Sequence, residues 1–162
     1  MLRTLIAATL VLVVAGCGGH ARRFGFAPAD GWHTAGTGLR PPAAQAASAR
    51  ASTIPLADRE AVPMKTIARL PENGIVIAAY LYPHPRYGRP FPTRPLPLRL
   101  ADARVSAGWE GQPNANAPQY QIVDRLKTRD LEVDVFFGTQ HPSRGLREKA
   151  QRELERLRVP VA

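Results

Sequence analysis

Leu131-Glu132-Val133-Asp134-Val135-Phe136-Phe137 is the stretch from which the fold is read. Leu131, Val133, Val135 and Phe137 point one way, Glu132 and Asp134 the other. A period of two is that of a β-strand with one face in a core and one in water. Glu132 and Asp134 are therefore expected to be solvated charges rather than an acid–base pair. Tyr120 to Leu126 precedes this strand across Lys127-Thr128-Arg129-Asp130, so the two are expected to form a hairpin.

Upstream, Leu96, Leu98 and Leu100 share one face of a further expected strand. It follows Pro83 to Pro97, a proline- and arginine-rich stretch whose missing N–H donors prevent ladder bonding and favour an extended loop. Ile75 to Tyr82 is an unbroken apolar run, β-branched at its start, expected to be a central strand apolar on both faces. Pro71-Glu72-Asn73-Gly74 turns the chain into it, and Pro63 to Leu70 suits a short helix. Ala46 to Ile54 reads as a strand and Thr34 to Gln45 as a loop. Phe24-Gly25-Phe26 is an aromatic strand, and Pro28 and Gly31 fit a type I turn before a second strand opening at Trp32. Another loop covers Ala107 to Pro118.

Downstream, Ser143 is a candidate cap for a helix on which Leu146, Ala150, Leu154 and Leu157 form one apolar stripe. Glu148 and Arg152 stand at i,i+4, and Pro160 is expected to end the helix. Docking of that stripe on the parent sheet is favoured over docking on a partner. Strands joined in sequence by turns imply an α+β fold: a mainly antiparallel β-sheet with a short helix and a C-terminal amphipathic helix packed on it.

The amino terminus gives an address. Arg3, then an apolar run from Leu5 to Val14, then small residues describe a secretory leader, too short to span a bilayer. Val14-Ala15-Gly16-Cys17 closely resembles the lipobox of bacterial lipoproteins. In that family the thiol receives a diacylglyceryl group and the preceding peptide is removed. The resemblance implies a leader at 1–16, a lipidated tether at 17–23 starting at Cys17, and a single domain at 24–162 with its Pro/Arg-rich loop at 83–97. It further implies a membrane partner reached through the anchor, on the extracytoplasmic face; two acyl chains hold where one does so only marginally. Cys17 is the only cysteine, which excludes an internal disulfide framework.

The order of elements over Phe24 to Val159 is also similar to the PsbP-like sandwich, a body found in exported lipoproteins. That family opens with an aromatic strand before a Pro-x-x-Gly-Trp turn, and here Phe26, Pro28, Gly31 and Trp32 carry the likeness. The resemblance implies a binding or assembly role and transfers no functional residue.

The chain carries 22 Lys and Arg against 13 Asp and Glu, a formal charge of +9. The excess favours anionic partners: lipid headgroups, acidic wall polymers or an envelope protein. Nucleic acid is not expected of an exported protein. Arg86, Arg89, Arg94, Arg99 and Arg104, interleaved with Tyr87 and Phe91, form the candidate anionic-partner site, with only Asp102 nearby to oppose them. The competing account, a solvated loop in an arginine-biased composition, carries equal weight.

His20, His33, His84 and His141 stand at no metal-binding spacing, so neither metal nor cofactor is expected. No Gly-x-Ser-x-Gly elbow occurs. The leading functional expectation is a non-enzymatic envelope binding or scaffolding module. Carriage of a small apolar or lipidic ligand is the alternative, and an envelope hydrolase is the least favoured.

Overall fold

A computed structural model describes residues 24–36, 47–57, 62–82, 91–106 and 117–160. The leader, the tether with Cys17, His20, His84 and residues 83–90 of the basic loop lie outside them.

Six antiparallel strands form one sheet: β2 (His33–Gly36), β3 (Ala47–Ser52), β4 (Ile75–Tyr82), β5 (Arg104–Ser106), β6 (Gln119–Leu126) and β7 (Arg129–Phe137). Their spatial order is β2-β3-β4-β7-β6-β5. Two three-stranded meanders, β2-β3-β4 and β5-β6-β7, thus meet along β4 and β7, in register from Ile75 opposite Phe137 to Tyr82 opposite Asp130. A separate antiparallel pair joins β1 (Gly25–Phe26) to β8 (Leu157–Arg158). Helices are few: α1 (Met64–Ile67) and α2 (Arg144–Leu154). The architecture is mainly antiparallel sheet with minor helix, compatible with the α+β class read from the sequence.

One face of the sheet carries the main core. Alternate residues of β3 (Ala47, Ala49, Ala51), β4 (Ile75, Ile77, Ala79, Leu81) and β7 (Leu131, Val133, Val135, Phe137) point into it, with Ile122 of β6. Ala150 and Leu154 of α2, Phe24 beside β1 and Phe26 within it, and Leu98 and Leu100 cover them. The alanines of β3 leave room for the β1 segment that lies against that strand. On the opposite face, Ile67 and Leu70 from the α1 region pack on Val76 and Phe136.

The connection after β4 must cross from the centre of the sheet to its far edge, which is the work of the proline-rich stretch. Its described part seals the outer edge of β6 beyond the short β5. The Arg125 N–H donates to the Pro92 carbonyl at 3.1 Å, and Arg94 Nη1 donates to the Val123 carbonyl at 2.9 Å. The expected strand at Leu96, Leu98 and Leu100 is absent. Pro95 and Pro97 cannot donate to a ladder, and the chain instead folds into a 3-10 turn at Leu100–Asp102 that buries Leu98 and Leu100.

Other boundaries shift for local reasons. Trp32 N–H donates to the Ala29 carbonyl, so the turn spans Ala29–Trp32 with Gly31 third at φ 72°, the position type II rather than type I requires. Thr34 to Gly36, expected in a loop, belong to β2 because Thr34 pairs with Ala51. The last helix stops at Leu154 rather than running to Pro160, since Leu157 and Arg158 are taken by the pairing with β1. Ser143 does cap α2, its hydroxyl accepting from Leu146 N–H at 3.2 Å. Glu148 pairs with Arg144, not Arg152.

The largest departure concerns β7. Its entire length from Asp130 to Phe137 is buried, and Glu132 and Asp134 retain 8% and 7% of their exposure. The polar half of the alternation marks a second buried face, not a solvated one.

Candidate functional site

The described arginines of the predicted anionic-partner site stand in different settings. Arg94 is tied into the fold: its N–H donates to both Asp124 carboxylate oxygens at 2.9 and 3.2 Å, its Nη1 reaches Val123, and Asp102 lies 4.0 Å away. Arg99 is exposed at the start of the 3-10 turn, and Arg104 is exposed on β5 opposite Gln121. Phe91 is half-buried. Arg86, Tyr87, Arg89 and Cys17 lie outside the described residues. Among the arginines that are described, Arg94 serves the β6 edge and is not offered to a partner.

A groove lies elsewhere, between α2 and the β5 edge of the sheet. It encloses about 440 Å³, and its floor is Leu100, Ala101, Ala103, Val105 and Tyr120. Its wall is Arg144, Arg147, Glu148 and Gln151 of α2. Val105 faces Tyr120 across the β5–β6 register and is 56% exposed, large for an apolar β-branched residue. The Tyr120 ring is held edge-on against Phe137, centroids 5.1 Å apart. Gln151 sets the distance between the walls. Its Oε1 accepts from Leu100 N–H at 2.8 Å, and its Nε2 donates to the Leu98 carbonyl at 3.1 Å. On the rim, Arg144 donates to Glu148 at 2.7 Å, whereas Arg147 is in no ion pair among the described residues.

Arg104 does not belong to this groove. It shares its register position, and hence its sheet face, with Gln121, whose amide reaches Glu132 on the other side. That side carries a buried polar strip running across β3, β4, β7 and β6: Arg50, Tyr80, Tyr82, Glu132, Asp134 and Gln121. Glu132 accepts from Tyr82 Oη at 3.2 Å and from Gln121 Nε2 at 3.0 Å. Asp130 accepts from Arg125 Nε. Burial, with Asp134 and Glu132 adding to it, pushes the Tyr80 hydroxyl far above the ordinary range, so it stays neutral and able to donate. Within the strip Tyr82, Gln121 and Glu132 are joined by hydrogen bonds, and the charges of Arg50, Glu132 and Asp134 are buried in the fold.

Two further carboxyl groups are buried. Asp124, fully buried, anchors the crossing segment through Arg94 and also accepts from its neighbour Arg125 N–H at 3.0 Å. Burial raises its pKa, the bonds from the Arg94 and Arg125 amides opposing the rise. Glu153 of α2 is 1% exposed, and neither of its oxygens has a hydrogen-bond partner among the described residues. Arg156 Nε lies 3.7 Å away, too distant to offset burial, and the Glu153 pKa is pushed up to about 7.

His33 and His141 are exposed, and no three potential metal ligands converge among the described residues. No helix among those residues is long and apolar enough to cross a membrane. Comparison with known proteins finds no matching family model, curated protein or solved structure.

Sequence reasoning placed the candidate site in the basic loop and missed the groove. Arg144 and Arg147 were legible as charges on the outer face of a helix. Nothing in the chain order said that this face would border Val105 and Tyr120, because that juxtaposition depends on β5 taking the far edge of the sheet.

Proposed function

We propose that this chain is a cell-envelope lipoprotein, acylated at Cys17 and held on the extracytoplasmic face, whose folded body binds a ligand rather than transforming it. The observation that carries the binding half is the groove of about 440 Å³ between α2 and β5. Its volume falls within the roughly 300–1,000 Å³ of small-molecule sites. An apolar floor with a few polar groups on the wall is the composition of such sites. In this reading α2 is an amphipathic helix with two tasks: Leu146, Ala150 and Leu154 face the sheet while Arg144, Arg147 and Glu148 face the groove. Carriage of an apolar or lipidic ligand, rather than scaffolding alone, is favoured by the apolar floor.

The address is tested by mass spectrometry of membrane fractions. A diacylglyceryl-modified amino terminus at Cys17 supports it, and a soluble protein beginning at Gly18 or Gly19 overturns it. Binding without transformation is tested by supplying the chain with lipid and wall substrates. Turnover of any of them defeats that half.

A further inference from the structure

Resting on the groove as the recognition site, we infer that its ligand is a free single-chain anionic amphiphile, its acyl chain over Val105 and Tyr120 and its carboxylate at Arg147. The floor is apolar along its length, and Ala101 and Ala103 keep it open where a bulkier residue would fill it. Val105 is left 56% exposed there, which an acyl chain would relieve. A volume of about 440 Å³ is at the lower end for ligand sites, which suits one chain better than two.

The wall decides the charge. Glu148 already holds Arg144 at 2.7 Å, so the guanidinium left to engage a ligand is that of Arg147. A neutral ligand leaves that group unused, and a cationic one meets two guanidinium groups against one carboxylate. A carboxylate matches the planar donor fork of arginine. Gln151 cannot serve the ligand, since its amide is committed to Leu98 and Leu100, but it keeps the walls apart without being displaced.

The test uses the full chain in neutral phosphatidylcholine vesicles, irradiated with diazirine forms of dodecanoate, dodecanol and dodecyltrimethylammonium. Cross-linked peptides are then mapped by mass spectrometry. The expected result is labelling within 100–105 and 144–151 in the order dodecanoate, dodecanol, dodecyltrimethylammonium. Val105→Asp, which places a like charge in the floor, is expected to cut dodecanoate labelling by at least about tenfold. Arg147→Glu is expected to invert the preference between dodecanoate and dodecyltrimethylammonium. Both positions are exposed, so an unchanged urea midpoint verifies folding of each variant. Dodecanoate labelling no stronger than that of dodecanol, or unaffected by Val105→Asp, overturns the inference. Equal labelling of the same peptides by a diazirine phosphatidylcholine also overturns it, identifying a bilayer-contact face instead. Val105→benzoylphenylalanine in intact envelopes separates the two levels. Capture of a protein there, with no amphiphile bound, removes the ligand class and leaves the binding reading. Failure of every probe and of capture removes both.

Discussion

Replacing Glu153 by methionine should make the protein more stable, and increasingly so as the pH rises. Glu153 is buried on α2 and, among the described residues, has no hydrogen-bond donor for either oxygen and only Arg156, 3.7 Å away, as counter-charge. Its pKa of about 7, against 4.5 for the free side chain, means that the folded state holds the proton more tightly than the unfolded chain. At about 1.4 kcal/mol per unit, the rise corresponds to roughly 3 kcal/mol. For a raised acid the sign is fixed. The contribution is fully present below about pH 4.5, is lost as the pH climbs toward about 7, and is flat above it. Methionine fills a similar volume with no charge to bury, and Arg156 is half exposed, so it stays hydrated and keeps the Pro28 carbonyl as acceptor at 3.4 Å. The gain over wild type should therefore grow by roughly 3 kcal/mol between pH 4 and pH 8. Urea denaturation of both proteins at several pH values isolates this group, because every other titration cancels in the difference. A difference that does not change with pH, or a methionine variant less stable at pH 8, would refute the burial argument.

Four other substitutions probe the frame. Gly138→Ala should cost about 2–4 kcal/mol by thermal melting, because a Cβ there would overlap the Pro71 carbonyl, whereas Gly145→Ala on α2, with open space around it, should gain about 0.5–1 kcal/mol. Lys127 sits at φ 55° in the two-residue turn between β6 and β7, so Lys127→Gly should raise the urea midpoint by an amount equivalent to about 1 kcal/mol. Asp124→Ala leaves the Arg94 amide without its acceptor, while the Arg125 N–H keeps the Pro92 carbonyl, and should cost about 1–3 kcal/mol, with faster amide exchange at Arg94 by mass spectrometry. An unchanged exchange rate there would mean that the carboxylate does not hold the crossing segment.

How much of this was readable in advance depended on whether the signal was local. Ile75 to Tyr82 announced a central strand because eight consecutive apolar residues have no other use in a short segment, and β4 has those bounds. Ser143 announced a cap, and Tyr120 to Phe137 a hairpin, from chemistry within a few residues of each other. Alternation in β7 was also read correctly as strand, yet its polar face was assigned to water. A period of two separates two faces but does not say what covers the second one; burial of Glu132 is possible because Tyr82 and Gln121 supply donors from β4 and β6. Arg94 looked like a partner-facing charge for the same reason. Its acceptors, Asp124 and Val123, lie some thirty residues further along the chain. The groove was hidden most deeply, since it exists only once β5 and α2 have been brought side by side.

The pairing of β1 with β8 has a consequence for how the molecule is made. Phe24 and Phe26 lie among the earliest residues of the domain to leave the ribosome, while Leu157, opposite Phe26, is among the last. Until residues 157 and 158 have been made, β1 has no β8 to pair with, so this closing contact forms late in synthesis. The two ends of the domain are thereby joined by a contact that only a chain synthesised through Arg158 can make.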